Sequence, residues 1–104
     1  MANYLVQKAA SFRLDEIYQY SLNQWGEKKA KVYISELFDT FSTIEKNKLL
    51  SRSIPSEFSV RGYYYQHKKH FVYWKYLKSG EIGIVTILHQ RMHQLKHFKN
   101  LPVV

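Results

Sequence analysis

The sequence predicts an α+β fold in the order β-α-α-β-β-β, with an N-terminal helical hairpin packed on one face of a small, mostly antiparallel sheet. Three observations predict it. Apolar residues recur with helical spacing from about Lys8 to Ile44, interrupted at Trp25-Gly26. β-branched and aromatic residues then crowd into three short runs between Val60 and His89. Turn-forming residues separate the last two of these runs. The chain has 104 residues, which suits one domain taken as 1–104. A chain of this size buries roughly two-thirds of its unfolded surface, enough for one core without staples.

The elements follow in order. "NYLVQ" reads as a short first strand. From about Lys8 to Gln24 the pattern is helical: Ala10, Leu14, Ile17 and Ser21 share one face, with Phe12, Tyr20 and Trp25 beside it. Gly26 ends this helix, in an expected left-handed conformation. The second helix starts near Glu27, and Ala30, Tyr33, Ile34, Leu37, Phe38, Phe41 and Ile44 form one wide apolar stripe. Glu27 at its start and Lys46 and Lys48 at its end suit the helix dipole. So short a connection requires antiparallel packing of the two helices. "NKLLSRSIPSEFS" is rich in serine and contains Pro55, so it reads as a loop. "VRGYYYQ" and "KHFVYWKY" are strands. "LKSGE" turns at Gly80, and "IGIVTILH", nearly all apolar, is a central strand buried on both faces.

Charge is distributed unevenly. The formal net charge is +8. Through residue 59, eight Lys/Arg face seven acids; from residue 60 onward, eight Lys/Arg face only Glu81. Such asymmetry points to an acidic partner: nucleic acid, ribosome or an acidic protein. There is no cysteine, so disulfides and thiolate metal sites are excluded. "MANYLVQKAASFRLDEI" lacks the basic start and long apolar stretch of a signal peptide, and no apolar run approaches a membrane span. The expectation is a soluble, cytoplasmic protein with no membrane partner.

Four stretches carry a resemblance to a known family. They are "KAASFRLDEIYQYSLNQWGEKKAKVYISEL", "NKLLSR", "GYYYQHKKHFVYW" and "IGIVTILHQRMHQLKHF". In this order they resemble the RelE/ParE family of bacterial toxins, and the ParE branch most closely, whose closing strand commonly reads Ile-Leu-His-x-Arg-Met. The family loop usually has Pro and Gly where this chain has Lys48 and Ser51. Tyr64 stands where most members carry arginine. Arg61 lies three residues earlier and on the opposite strand face, since faces alternate with period two.

The ParE resemblance implies the toxin of a type II toxin–antitoxin system: a non-enzymatic poison of DNA gyrase that blocks replication and is neutralised by an acidic, ParD-like antitoxin. It implies target contacts at His89, Arg91, Lys96 and Lys99, and antitoxin contacts at Leu37, Phe38, Phe41, Arg61, Tyr63 and Tyr65. DNA would then be met only through gyrase or the antitoxin. The RelE branch would instead imply ribosome-dependent mRNA cleavage, for which Arg61, Lys68, Lys69, His70, Arg91 and His97 are candidate groups, Arg61, His70 and Arg91 foremost. A third alternative is a basic nucleic-acid-binding module, because "YYYQHKKHFVYW" interleaves aromatics with cations. No cofactor is implied by any of these readings.

His89, His93 and His97 fall four residues apart, a spacing that on a helix would let three imidazoles converge. However, His89 continues an apolar, β-branched run and ends a strand, and no acidic residue follows Glu81 to complete a ligand set. No metal is expected there; His93 and His97 read as exposed tail residues.

Overall fold

The computed structural model describes residues 4–58 and 60–92, and at Leu49 and Glu57 the backbone alone. The elements are β1 (Tyr4–Val6), α1 (Lys8–Trp25), α2 (Glu27–Lys46), β2 (Arg52–Ser53), β3 (Tyr63–His67), β4 (His70–Tyr76) and β5 (Ile82–His89). They form a sheet of five strands in the order β1-β5-β4-β3-β2. β1 runs parallel to β5, and the other neighbours are antiparallel. The expected α+β architecture is present, with one strand more than expected. β2 pairs only Arg52 with Tyr64 and Ser53 with Tyr63, and two residues are too few for any alternation to show in the sequence.

Both helices cover one face of the sheet. Ala10, Leu14, Ile17, Leu37, Phe41 and Ile44 pack there against Val72, Trp74, Ile82, Ile84 and Ile87. The other face carries a smaller cluster around Tyr73 and Leu88, with Tyr64, Phe71, Ile54, Phe58, Val60 and Met92. β5 lies between β1 and β4 and is buried on both faces, which is why it reads as a continuous apolar run. Trp74 stacks on Tyr63 with centroids 4.6 Å apart, and its indole N–H donates to the Ser51 hydroxyl at 2.8 Å.

A bulge decides which side chains of β5 meet the helices. Tyr73 pairs with Thr86 but Trp74 pairs with Ile84, leaving Val85 as the extra residue. Without it, Ile82 and Ile84 would face away from Ile87, since strand faces alternate. With it, all three enter the helix-side core.

Gly26 serves both helices. Its N–H donates to Leu22 O and its carbonyl accepts from Ala30 N. Its φ is 89° as expected for a positive-φ stop, but its ψ of 171° is extended and not left-handed helical. This region is essentially glycine-only.

Candidate functional site

At the turn end of the β3–β4 hairpin, the sheet and the two helices enclose a cleft of about 780 Å³. α1 contributes Arg13, Glu16, Tyr20 and Trp25 to its walls; α2 contributes Tyr33. The hairpin turn contributes Lys68 and Lys69, β4 and β5 supply His70 and His89, and Arg91 and Met92 follow β5. Pairing brings the histidines together: His70 opposes His89 across β4–β5 and His67 across β3–β4. The rings of His70 and His89 meet edge to face, 5.1 Å between centroids.

Each histidine has a defined partner. The Tyr33 hydroxyl and His70 Nδ1 share a hydrogen bond of 2.6 Å. His89 Nδ1 accepts the backbone N–H of Arg91 at 3.1 Å, so its remaining proton sits on Nε2 and the bond anchors Arg91 directly behind a buried strand. His67 Nε2 lies 3.0 Å from a Glu36 carboxylate oxygen, which also takes Lys68 Nζ at 2.8 Å. Lys68 adopts a positive φ of 51°, unusual for a residue with a side chain. The ion pair to Glu36 helps hold it there, and its ammonium lies 5.7 Å from the centre of the Tyr33 ring.

Burial and positive neighbours favour the neutral forms of His70 and His89. His70 is drawn down to about 4, first by burial and then by His89 and His67. His89 is lowered by burial, then by Arg91 and Lys69. Tyr33 is pushed up to about 12 by burial and then by the Glu36 carboxylate. Glu36 is lowered by the hydrogen bonds from Lys68 and His67.

A pH dependence follows. Folding favours neutral His70, so between about pH 6.5 and 4 the unfolded chain binds the extra proton. The stability contributed by His70 is complete above about 6.5 and lost as pH falls toward 4; Glu36 adds a loss of the same sign at lower pH. His70→Asn, whose amide replaces Nδ1 toward Tyr33, is expected to flatten this slope. Allowing for partial solvent screening, the difference is about 1–2 kcal/mol between pH 7.5 and 4.5. Urea midpoints at the two pH values measure it; equal slopes in parent and variant would refute the assignment.

The structure distributes the candidate residues unevenly. His70, His89 and Arg91 share the cleft. Arg61 is exposed and precedes β3, so Gly62 and about 13 Å of strand, at about 3.3 Å per residue, lie between it and the His67–His70 end. The trio Arg61, His70 and Arg91 is therefore not assembled. Leu37 and Phe41 are fully buried against the sheet, which corrects their assignment as antitoxin contacts: the helix period places them inward, beneath α2. Phe38 is 39% exposed, Arg61 is exposed, and Tyr63 and Tyr65 are half-buried against the helix-side core. Lys96, Lys99, His93 and His97 lie outside the described residues. Among the described residues no group of three or more metal-ligating side chains is gathered, and no helix is long and apolar enough to cross a membrane.

The sequence does not single out Tyr33, Glu36, His67 or Arg13 as site residues. Tyr33 and Glu36 lie on a helix far from the hairpin in the chain, and nothing in their spacing points to it. The dipeptide Lys68-Lys69 between His67 and His70 was the one available signal, and it reads equally as a solvated turn.

A helical hairpin over a five-stranded sheet is an α+β arrangement shared with a solved toxin–antitoxin structure. That structure, a chromosomal ParDE toxin–antitoxin system from P. aeruginosa, superposes with a TM-score of 0.68 at 20% identity, over 83% of this chain and 92% of the other. Residues 4–94 match the family model of the ParE toxin of the type II toxin–antitoxin system parDE, and the chain belongs to that family. It is also similar to Toxin ParE1 of Mycobacterium tuberculosis, in strains CDC 1551 / Oshkosh and H37Rv. Identity is 28% over 93 residues, 88% of this chain and 92% of the relative.

Proposed function

We propose that this ParE-type toxin inhibits DNA gyrase without catalysis of its own, and that a cognate, acidic, ParD-like antitoxin neutralises it. Family membership over residues 4–94 supports the toxin–antitoxin pairing. The observation that favours a poison over an RNA-cleaving enzyme is the dispersal of Arg61 from His70 and Arg91, together with the neutral, Tyr33-bound state of His70. General acid–base cleavage needs a proton donor and acceptor converging on one phosphate with cations beside them. The proposed target contact centres on His89 and Arg91 and continues to Lys96 and Lys99. Arg91 is exposed while its backbone is pinned to His89, so a rigid anchor presents a guanidinium to a carboxylate or phosphate. The proposed antitoxin surface keeps Phe38, Arg61, Tyr63 and Tyr65.

Purified toxin is expected to reduce supercoiling by gyrase and raise the fraction of cleaved DNA. Arg91→Ala should weaken both effects about tenfold or more, as loss of a charge-assisted contact does, with an unchanged melting temperature. Gyrase left untouched, with mRNA cut on translating ribosomes, would transfer the protein to the RelE-like reading.

A further inference from the structure

Tyr20 and Trp25 are large aromatic side chains at the wet rim of the cleft, 60% and 55% exposed, with ring centroids 6.0 Å apart. Neither belongs to the buried core, and the edge of one meets the face of the other at an interplanar angle of 87°, leaving the rest of both rings exposed to a planar ligand. A second concavity of about 420 Å³ adjoins the first and shares three wall residues with it, Trp25, Tyr33 and Lys68. Lys28 and Lys29 line it as well. The two hollows thus form one track: its shared wall carries Trp25 and Tyr33, and further cations line each part, Lys28 and Lys29 the one and Lys69 and Arg91 the other. Among the described residues none of these four cations has an acidic partner, whereas Lys31 and Lys68 are paired with Glu27 and Glu36.

The geometry points to this track as a binding site for single-stranded nucleic acid, with bases stacked on Trp25 and Tyr20 and phosphates held by Lys69 and Arg91 and by Lys28 and Lys29. Aromatic surfaces flanked by cations without acidic partners match a chain whose flat bases are flanked by phosphates. An acidic peptide would satisfy the cations but would have no use for two exposed ring faces. A duplex stacks its bases inward and leaves those faces equally unused. Two joined hollows favour a strand of several nucleotides over one mononucleotide. The site is separate from the strand tyrosines and does not depend on gyrase being the target, since binding is read in its own assay.

The test is fluorescence anisotropy of the whole protein with labelled seven-nucleotide DNA and RNA strands. The comparisons are a DNA duplex and a seven-residue peptide alternating Asp and Tyr. Either single strand is expected to bind, and to quench tryptophan emission through Trp25, because Trp74 is buried. Trp25→Leu should abolish the quench and weaken binding about fivefold or more, and Trp25→Phe should restore most of the affinity. Lys69→Gln should lower the slope of log affinity against log salt by about 0.7, the value for one phosphate contact on a single strand. Circular dichroism confirms that each variant remains folded. Tighter binding of the duplex or the peptide, no binding of either strand, or binding indifferent to Trp25 would each overturn the proposal.

Discussion

Phe41→Ala is expected to destabilise the protein by about 3–5 kcal/mol, the range for emptying a buried aromatic site. Phe41 has no exposed surface. Its ring packs edge-on to Tyr4 at 5.6 Å and to Phe38 at 5.3 Å, within the cluster that joins α2 to the sheet. Removing it leaves a cavity between α2 and β1 that close-packed surroundings cannot fully fill. Phe38→Ala is the companion variant. That ring is 39% exposed, so its loss should cost about 1 kcal/mol or less, yet it should weaken antitoxin binding if α2 forms part of that surface. Urea denaturation gives the first quantity, and titration with antitoxin gives the second. A Phe41→Ala protein of parent stability with lost antitoxin affinity would return Phe41 to the interface and contradict its burial.

Gly62→Ala is expected to lose about 3 kcal/mol, from backbone strain and overpacking together. The residue precedes β3 with φ 145°, and an added Cβ would sit 2.7 Å from the carbonyl oxygen of Trp74 and 3.3 Å from Ile54 Cδ1. The first neighbour is backbone in the middle strand and cannot swing aside. The Gly62 carbonyl also accepts from Ile54 N, so displacement would loosen the segment that closes the lower face. Gly26→Ala isolates the backbone part of the effect. It too has a positive φ, but nothing lies within 4 Å of the added carbon, so a loss of about 1–2 kcal/mol is expected. Equal losses at the two positions would show that the contact with Trp74 O is relieved at little cost.

What could be read from the sequence has a local physical basis. Helical spacing of Ala10, Leu14, Ile17 and of Leu37, Phe41, Ile44 determined both helices and their inward faces, because a repeat of 3.6 must bury one stripe. The apolar run from Ile82 to Leu88 determined a strand covered on both sides, and Gly26 marked the hairpin through a conformation other residues avoid. The resemblance to the family is likewise local, carried by four stretches of which "ILHQRM" is part of one. Other features depended on contacts between distant parts of the chain. β2 exists because Arg52 and Ser53 reach the edge of β3, and two residues hold no period. The bulge at Val85 reversed the expected alternation and turned Ile87 and His89 toward the helices. The candidate site was the least legible part. Tyr33 and Glu36 meet His70, His67 and Lys68 across more than thirty residues, as in the separations of 37 and 31 for the two histidines. No local pattern encodes such a meeting. It arises because α2 must lie across the sheet to bury Leu37 and Phe41, and that placement carries its polar flank to the hairpin end.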